Sequence, residues 1–240
     1  MFQRILRRLA FASLLFAEVG CAFAGSLSGA VSTQSNGVTI SSYGTLDWSV
    51  FGYGGVLPGR VSRSSSIGIG TTYSVIGTAT PTVATDGLRS FSWSSGSPAA
   101  SGSSHRRVVS VSGINNGLRV TVPADAQART VRIHFDLKNA GGTFRATLSD
   151  GSAPDYVNVV SSGNTVRQYT ITYSANGPGR TLNLDMTMTA GTGSVRLAGV
   201  SAPTFSYVNH APTLSAPSAL TVQRAQAVSV SVAGSDSDGD

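Results

Sequence analysis

Residues 130–158 read TVRIHFDLKNAGGTFRATLSDGSAPDYVN, and their alternation leaves few folds open to the chain. Val131, Ile133, Phe135 and Leu137 are interleaved with Arg132, His134, Asp136 and Lys138. A period of two is the pattern of a strand with one buried face and one wet face. Asn139-Ala140-Gly141-Gly142 tolerates positive φ, and Phe144, Ala146 and Leu148 then alternate with Arg145 and Thr147, so the two runs are expected to form a hairpin turning at 139–142. The segment after it collects Asp150, Asp155, Tyr156 and Asn158 in a loop at one end of the sheet, where a rigid scaffold presents binding groups.

The same reading extends along the chain. Strands are expected at 38–42, 71–76, 90–94, 108–111, 118–122, 168–173, 182–188 and 193–202, and an aromatic-dense segment at 46–55 holds Trp48, Phe51 and Tyr53. Asn115-Asn116-Gly117 is a turn signal. Residues 25–37, 58–66 and 94–104 read as a loosely held N-terminus, an exposed loop carrying Arg60 and Arg63, and a mobile Ser/Gly loop. No stretch carries helical periodicity with caps. The fold class is therefore all-β, with residues 25–203 forming an antiparallel jelly-roll-like β-sandwich. At roughly 180 residues such a sheet pair can bury a substantial core without staples.

A linker at 204–212 follows, and then Leu220, Val222, Val228, Val230 and Val232 mark two short strands within residues 213–240. So short a segment cannot close a sandwich that takes about 100 residues. An incomplete second sandwich is expected, and with it a fragment of a longer protein.

The N-terminus points to export. Arg4, Arg7 and Arg8 precede an apolar run and Ala22-Phe23-Ala24, an A-x-A cleavage signal, so residues 1–24 read as a signal peptide and the mature chain as secreted or displayed on a bacterial surface. The apolar run is shorter than the roughly 20 residues a membrane span needs, so no transmembrane segment is expected. The only cysteine, Cys21, lies in the leader. Lipoprotein anchoring through Cys21 is the alternative, but Glu18-Val19-Gly20 departs from the small and aliphatic residues such a site carries. Stability has to come from a core, not from a disulfide. The full chain has a formal charge of +6, and its cations are nearly all arginines scattered singly along the strands. A nucleic-acid partner would require a concentrated patch and is not expected. His105-Arg106-Arg107 is the densest basic spot.

Asn209-His210-Ala211-Pro212, the valine-rich strands and Asp236-Ser237-Asp238-Gly239-Asp240 resemble the opening of cadherin-like or Ig-like repeats of large bacterial surface proteins. The resemblance implies calcium held in a completed repeat, with Asp236, Asp238 and Asp240 as carboxylate ligands. Alternate acidic residues in one loop suit a hard cation that takes six to eight oxygens, although Gly239 is misplaced for an EF-hand. Leu46-Asp47-Trp48, Phe91-Ser92-Trp93 and residues 148–156 resemble galactose-binding-like, carbohydrate-binding jelly-roll modules of secreted bacterial proteins.

The chemistry of catalysis is thin. Beyond residue 24 there is no glutamate and no cysteine, and the histidines are His105, His134 and His210, with His134 expected on a wet strand face. No G-x-S-x-G elbow or H-E-x-x-H motif occurs, and paired aspartates such as Asp150 and Asp155, which share one loop, read as turn formers before they read as a glycosidase pair. The expected function is a non-catalytic extracellular recognition module for a glycan or surface polymer, using Trp48, Tyr53, Asp150, Asp155 and Tyr156. A structural or adhesive stalk with calcium-linked repeats is the alternative, and an accessory part of a secreted hydrolase a weaker one.

Overall fold

The structure is a computed structural model and describes residues 25–33, 37–66, 68–70, 72–203, 213–215 and 233–235. The leader with Cys21, the linker at 204–212, the strands expected around Leu220 to Val232 and the acidic run Asp236, Asp238 and Asp240 lie outside these residues.

In chain order the strands are β1 Ser26–Ser32, β2 Val38–Thr39, β3 Asp47–Phe51, β4 Arg60–Arg63, β5 Ser74–Ile76, β6 Thr82–Ala84, β7 Phe91–Ser94, β8 Gly96–Ser97, β9 Ser101–His105, β10 Val108–Ser112, β11 Gly117–Ala124, β12 Arg129–Leu148, β13 Tyr156–Ser174, β14 Arg180–Ala202, β15 Thr213–Ser215 and β16 Ala233–Ser235. One helical turn, α1 Ile40–Tyr43, follows β2, and a 3-10 turn, Tyr53–Gly55, follows β3. The chain divides into two units, Met1–Pro203 and Thr204–Asp240. In the second, β15 and β16 pair antiparallel, Thr213 opposite Ser235.

The first unit is built on three long antiparallel strands in the order β13-β12-β14. β1 extends this sheet beyond β13, and the far edge of β14 is taken in turn by β11, β10 and β3. The expected hairpin at 139–142 does not form. β12 runs continuously through Asn139 to Gly142 as a strand with register shifts against both neighbours, and the chain reverses instead at residues 149–155.

What the Asn-Gly segment makes is a corner. Inward residues are odd-numbered before it (Val131, Ile133, Phe135, Leu137) and even-numbered after it (Phe144, Ala146, Leu148), and all are buried. An extra residue in a strand reverses the parity, keeping the apolar set on one side while the strand bends. β14 does the same: Leu182, Leu184, Met186 and Met188 give way to Val195 and Leu197. Gly191, at φ 90°, allows the two corners to meet, because a Cβ there would lie 2.3 Å from the Asn139 carbonyl oxygen.

Folding over brings the halves face to face. Phe135 and Phe144 would be about 30 Å apart on a straight strand; their rings are 6.2 Å apart. Phe144 also stacks on Tyr169 at 3.7 Å and 6°, and Tyr169 lies beside Ile133 in the other half. The unit is thus an antiparallel β-sandwich whose two leaves share the same long strands, with the aliphatic core between them.

A second layer covers the outer face of one leaf. The small sheet β2-β7-β9, in which β2 and β7 are parallel, packs Val38, Phe91 and Trp93 with Ile40, Trp48, Val50, Val61, Val108 and Ala198. This layer corrects several expectations. His134 and Asp136 are not wet but fully buried beneath it, Arg89 Nη1 lying 2.9 Å from His134 Nδ1 and the Leu88 N–H donating to Asp136 Oδ2 at 2.7 Å. Residues 25–37 include β1, registered along β13 from Ser26 opposite Ser174 to Ser32 opposite Gln168. The loops expected at 58–66 and 94–104 contain β4, β8 and β9, with Val61 buried. Weak alternation hid these short strands, rich in Ser and Gly.

Candidate functional site

The five residues expected to bind ligand do not share a surface. Trp48 is 1% exposed and packs its indole 6.3 Å from that of Trp93 inside the second core, so neither face is open to a sugar. Tyr156 begins β13, separated from β3 by β12 and β14, and stands opposite Ala146, with its ring edge-on to Phe144 and over Gly29. Asp155 is engaged by Arg145 at 2.8 Å. Asp150 Oδ1 accepts from the Ser152 N–H and hydroxyl at 3.1 and 2.8 Å, and Oδ2 from the Asn176 N–H at 2.7 Å. Burial opposes its charge, but these donors outweigh it and hold the carboxyl below its usual pKa. Asp150 closes a turn, as its Asx spacing allows.

Tyr53 is placed differently. It caps β3 on a tight turn in which Gly52 and Gly54 hold φ of 77° and 72°, and Gly52 lies so near β10 that a Cβ would be 2.8 Å from the Val108 nitrogen. Glycine is what permits both the left-handed backbone and the approach. The turn sets the half-buried Tyr53 ring edge-on to Trp93 at 6.2 Å and tilted over His105 at 6.2 Å. Trp93 and His105 complete the triangle at 5.5 Å.

β7 and β9 hold this triangle. The Trp93 Nε1–H donates to the Ala99 carbonyl at 3.0 Å, and Gly102 lies flat on the indole, where a Cβ would meet ring atoms at 2.3–2.6 Å. Phe91 pairs with His105 but Trp93 with Gly102, so β9 carries an extra residue, and Ser104 takes φ 53°. Such a bulge re-aims the side chain next to it, here His105. Burial, chiefly, holds the His105 pKa below its ordinary value, aided by the Arg107 charge and resisted by the Phe51 carbonyl at 3.3 Å. The imidazole is neutral at pH 7.

These rings line an open groove of about 440 Å³, with Thr85, Ser101, Ser103, Ser104, Arg106 and Arg107 around them. Arg106 Nε donates to the Gly87 carbonyl at 2.9 Å. The Arg107 Nε packs over the Tyr53 turn, 3.7 Å from where a Gly55 Cβ would be. The groove offers a ring face, hydroxyls and two guanidinium groups. A larger groove of about 540 Å³ lies beside Val56 to Gly59, Arg60 and Arg63, but it has no aromatic ring, Arg63 is spent on the Thr45 and Leu46 carbonyls, and Arg60 Nε donates to the Ser62 hydroxyl at 3.2 Å. Volume alone favours the second; chemistry favours the first.

Among the described residues no group of three or more His, Cys, Asp and Glu side chains is placed to hold a metal, and no helix is long and apolar enough to cross a membrane. Sequence reasoning singled out Tyr53 and the basic triplet at 105–107 separately, and missed that they meet around Trp93. The tryptophan's own strand and the glycine opposite it were the available signals, but the pairing of β7 with β9 depends on a bulge.

No protein-family model matches this sequence, and no curated protein does. Solved structures give partial likenesses. One is the enzymatically active domain of a bacteriophage CBA120 tailspike protein, at 16% identity and TM-score 0.37, covering 59% of this chain and 21% of that one. A second is the xylan-binding domain CBM22-1 from Paenibacillus barcinonensis, at 13% identity and TM-score 0.36, covering 64% of this chain and 92% of that one. A third is a CBM61 module solved with β-1,4-galactotriose, at 12% identity and TM-score 0.35, covering 57% of this chain and 92% of that one. These are partial likenesses of strand arrangement.

Proposed function

We propose that residues 25–203 form a non-catalytic, extracellular recognition module that binds a glycan in the groove between Tyr53, Trp93 and His105. The observation that carries this reading is a half-exposed tyrosine ring held rigidly by two aromatic neighbours and a glycine turn, within reach of three serines, a threonine and two arginines. Sugar recognition takes this form: a ring face for the apolar side of a pyranose, and a few oriented polar groups for its hydroxyls. In a completed downstream repeat Asp236, Asp238 and Asp240 would supply carboxylates to calcium, which would stiffen the attachment of the module.

A thermal melt of the full chain across a panel of soluble polysaccharides tests the binding, since a ligand that binds only the folded state raises the melting temperature. A rise with one polysaccharide that disappears in Tyr53→Ala supports the groove. A rise that Tyr53→Ala leaves intact would place the site elsewhere. Repeating the melt of a chain extended through a complete repeat, with and without calcium, tests the metal separately.

A further inference from the structure

We infer that the polymer taken by this groove is anionic, a polysaccharide bearing uronate carboxylates or sulfate esters, with Arg106 and Arg107 meeting its charges while Tyr53 packs on a sugar ring. The inference rests on the reading of the groove as a glycan site and narrows it to a ligand class.

Charge accounting across the unit is the first ground. Every described aspartate is already engaged within the protein: Asp47 by Ser66 and the Ile69 N–H, Asp86 by Lys138 and Arg196, Asp125 by Arg129, Asp136 by the Leu88 N–H, Asp150 by Ser152 and Asn176, Asp155 by Arg145 and Asp185 by Arg119. None of them lines the groove. Arg106 and Arg107 are exposed there with no ion pair among the described residues. A neutral sugar would leave the terminal N–H donors of both guanidinium groups without an anion, whereas a carboxylate or sulfate fits them in charge and shape.

Placement is the second ground. Arg106 is tied through Nε to the Gly87 carbonyl, which leaves its terminal nitrogens as donors and fixes the plane of the group. Arg107 Nε lies beside the glycine turn that carries Tyr53, 3.7 Å from where a Gly55 Cβ would be, so its charge and the stacking ring face the same groove. Preorganised donors lose little conformational entropy on binding. The hydroxyls of Ser101, Ser103, Ser104 and Thr85 are available for the uncharged positions of a repeating sugar. With the imidazole of His105 neutral, the positive charge of the groove at pH 7 comes from the two arginines.

Affinity electrophoresis of the full chain at about physiological salt, where the Debye length is about 8 Å, provides the test. Gels would contain polygalacturonate, dextran sulfate, neutral xylan or neutral galactan, with a single-stranded oligonucleotide as a further polyanion. The variants are Tyr53→Ala, Arg107→Gln and Arg180→Gln, the last removing one exposed charge at the start of β14, outside the groove. We expect retention by polygalacturonate or dextran sulfate, at least about tenfold weaker in Arg107→Gln, as for a lost charge-assisted hydrogen bond. Tyr53→Ala should abolish it, and Arg180→Gln should leave it unchanged. Whichever gel retains the chain distinguishes uronate from sulfate.

Retention by xylan or galactan that is lost in Tyr53→Ala but unaltered in Arg107→Gln would overturn the anionic inference and leave the glycan reading standing. Retention by every polyanion, the oligonucleotide included, with equal loss in Arg107→Gln and Arg180→Gln, would mean diffuse charge attraction and overturn the inference. No retention in any gel would overturn both readings. Matching melting curves for wild type and Arg107→Gln would show that an altered fold is not the cause of any loss.

Discussion

His134 makes this domain acid-sensitive as the pH falls below about 6.5, where the unfolded chain takes up its proton. Its imidazole is fully buried between the edge-on Phe91 ring at 5.3 Å and the Arg89 guanidinium, whose Nη1 is 2.9 Å from Nδ1. A guanidinium only donates, so Nδ1 must accept and the proton sits on Nε2. Protonating the ring would remove that acceptor and set a second cation against the first. Burial, then the Arg89 charge, then Arg132, push its pKa well below the ordinary 6.5. The unfolded chain takes up the proton near pH 6.5 while the native state refuses it, so stability is complete above that pH and falls as the pH drops toward the native pKa, by up to about 1.4 kcal/mol per unit. Between pH 6.5 and 5 the unfolded-state pKa limits the loss to at most about 2 kcal/mol. Asp136, whose pKa burial raises, acts in the opposite sense, its contribution being lost as the pH rises through its native value. His105 acts in the same sense as His134 but is less buried. Urea denaturation of wild type and His134→Gln at several pH values isolates the histidine, because glutamine can still accept from Arg89. The wild-type free energy should drop more than that of the variant over this window, by up to about 2 kcal/mol. Parallel pH profiles would refute the reasoning.

Gly102→Val should clash with the Trp93 indole, since even a Cβ would lie 2.3 Å from it, and cost about 1–3 kcal/mol; a lowered melting temperature together with weakened polysaccharide retention would be the readout. Phe144→Ala removes a ring shared by both leaves and should cost about 3–5 kcal/mol in urea denaturation. Arg119→Ala, which breaks a pair at 2.6 Å whose arginine side chain is 41% exposed, should change stability by less than about 1 kcal/mol. Tyr156→Ala should leave retention by any polysaccharide unchanged, because the residue stands on β13 with its ring against Gly29 and Phe144, separated by β12 and β14 from the β3 strand that leads to the groove, and a loss of retention would contradict the site.

The alternation of Val131 to Leu137, of Phe144 to Leu148 and of Leu182 to Met188 was enough to read an all-β chain, because period-two burial is a local property of a strand. So was the turn role of Asp150, which needs only a hydrogen bond two residues on. The sequence could equally suggest a hairpin at Asn139-Ala140-Gly141-Gly142, since residues that tolerate positive φ serve turns and bulges alike. Which of the two forms depends on the strands alongside: β13 and β14 continue past the corner, so the backbone groups of β12 find partners on both sides only if the strand bends and goes on. Burial of His134 and Asp136 was likewise invisible, because an alternating pattern marks its second face as wet unless a remote segment covers it. β7 does so from more than forty residues away in sequence. The groove depends on the tertiary structure for the same reason. Tyr53, Trp93 and the arginines at 106 and 107 each satisfy a local rule, and only the folding of β9 against β7 and of β10 against the glycine turn gives them a common surface.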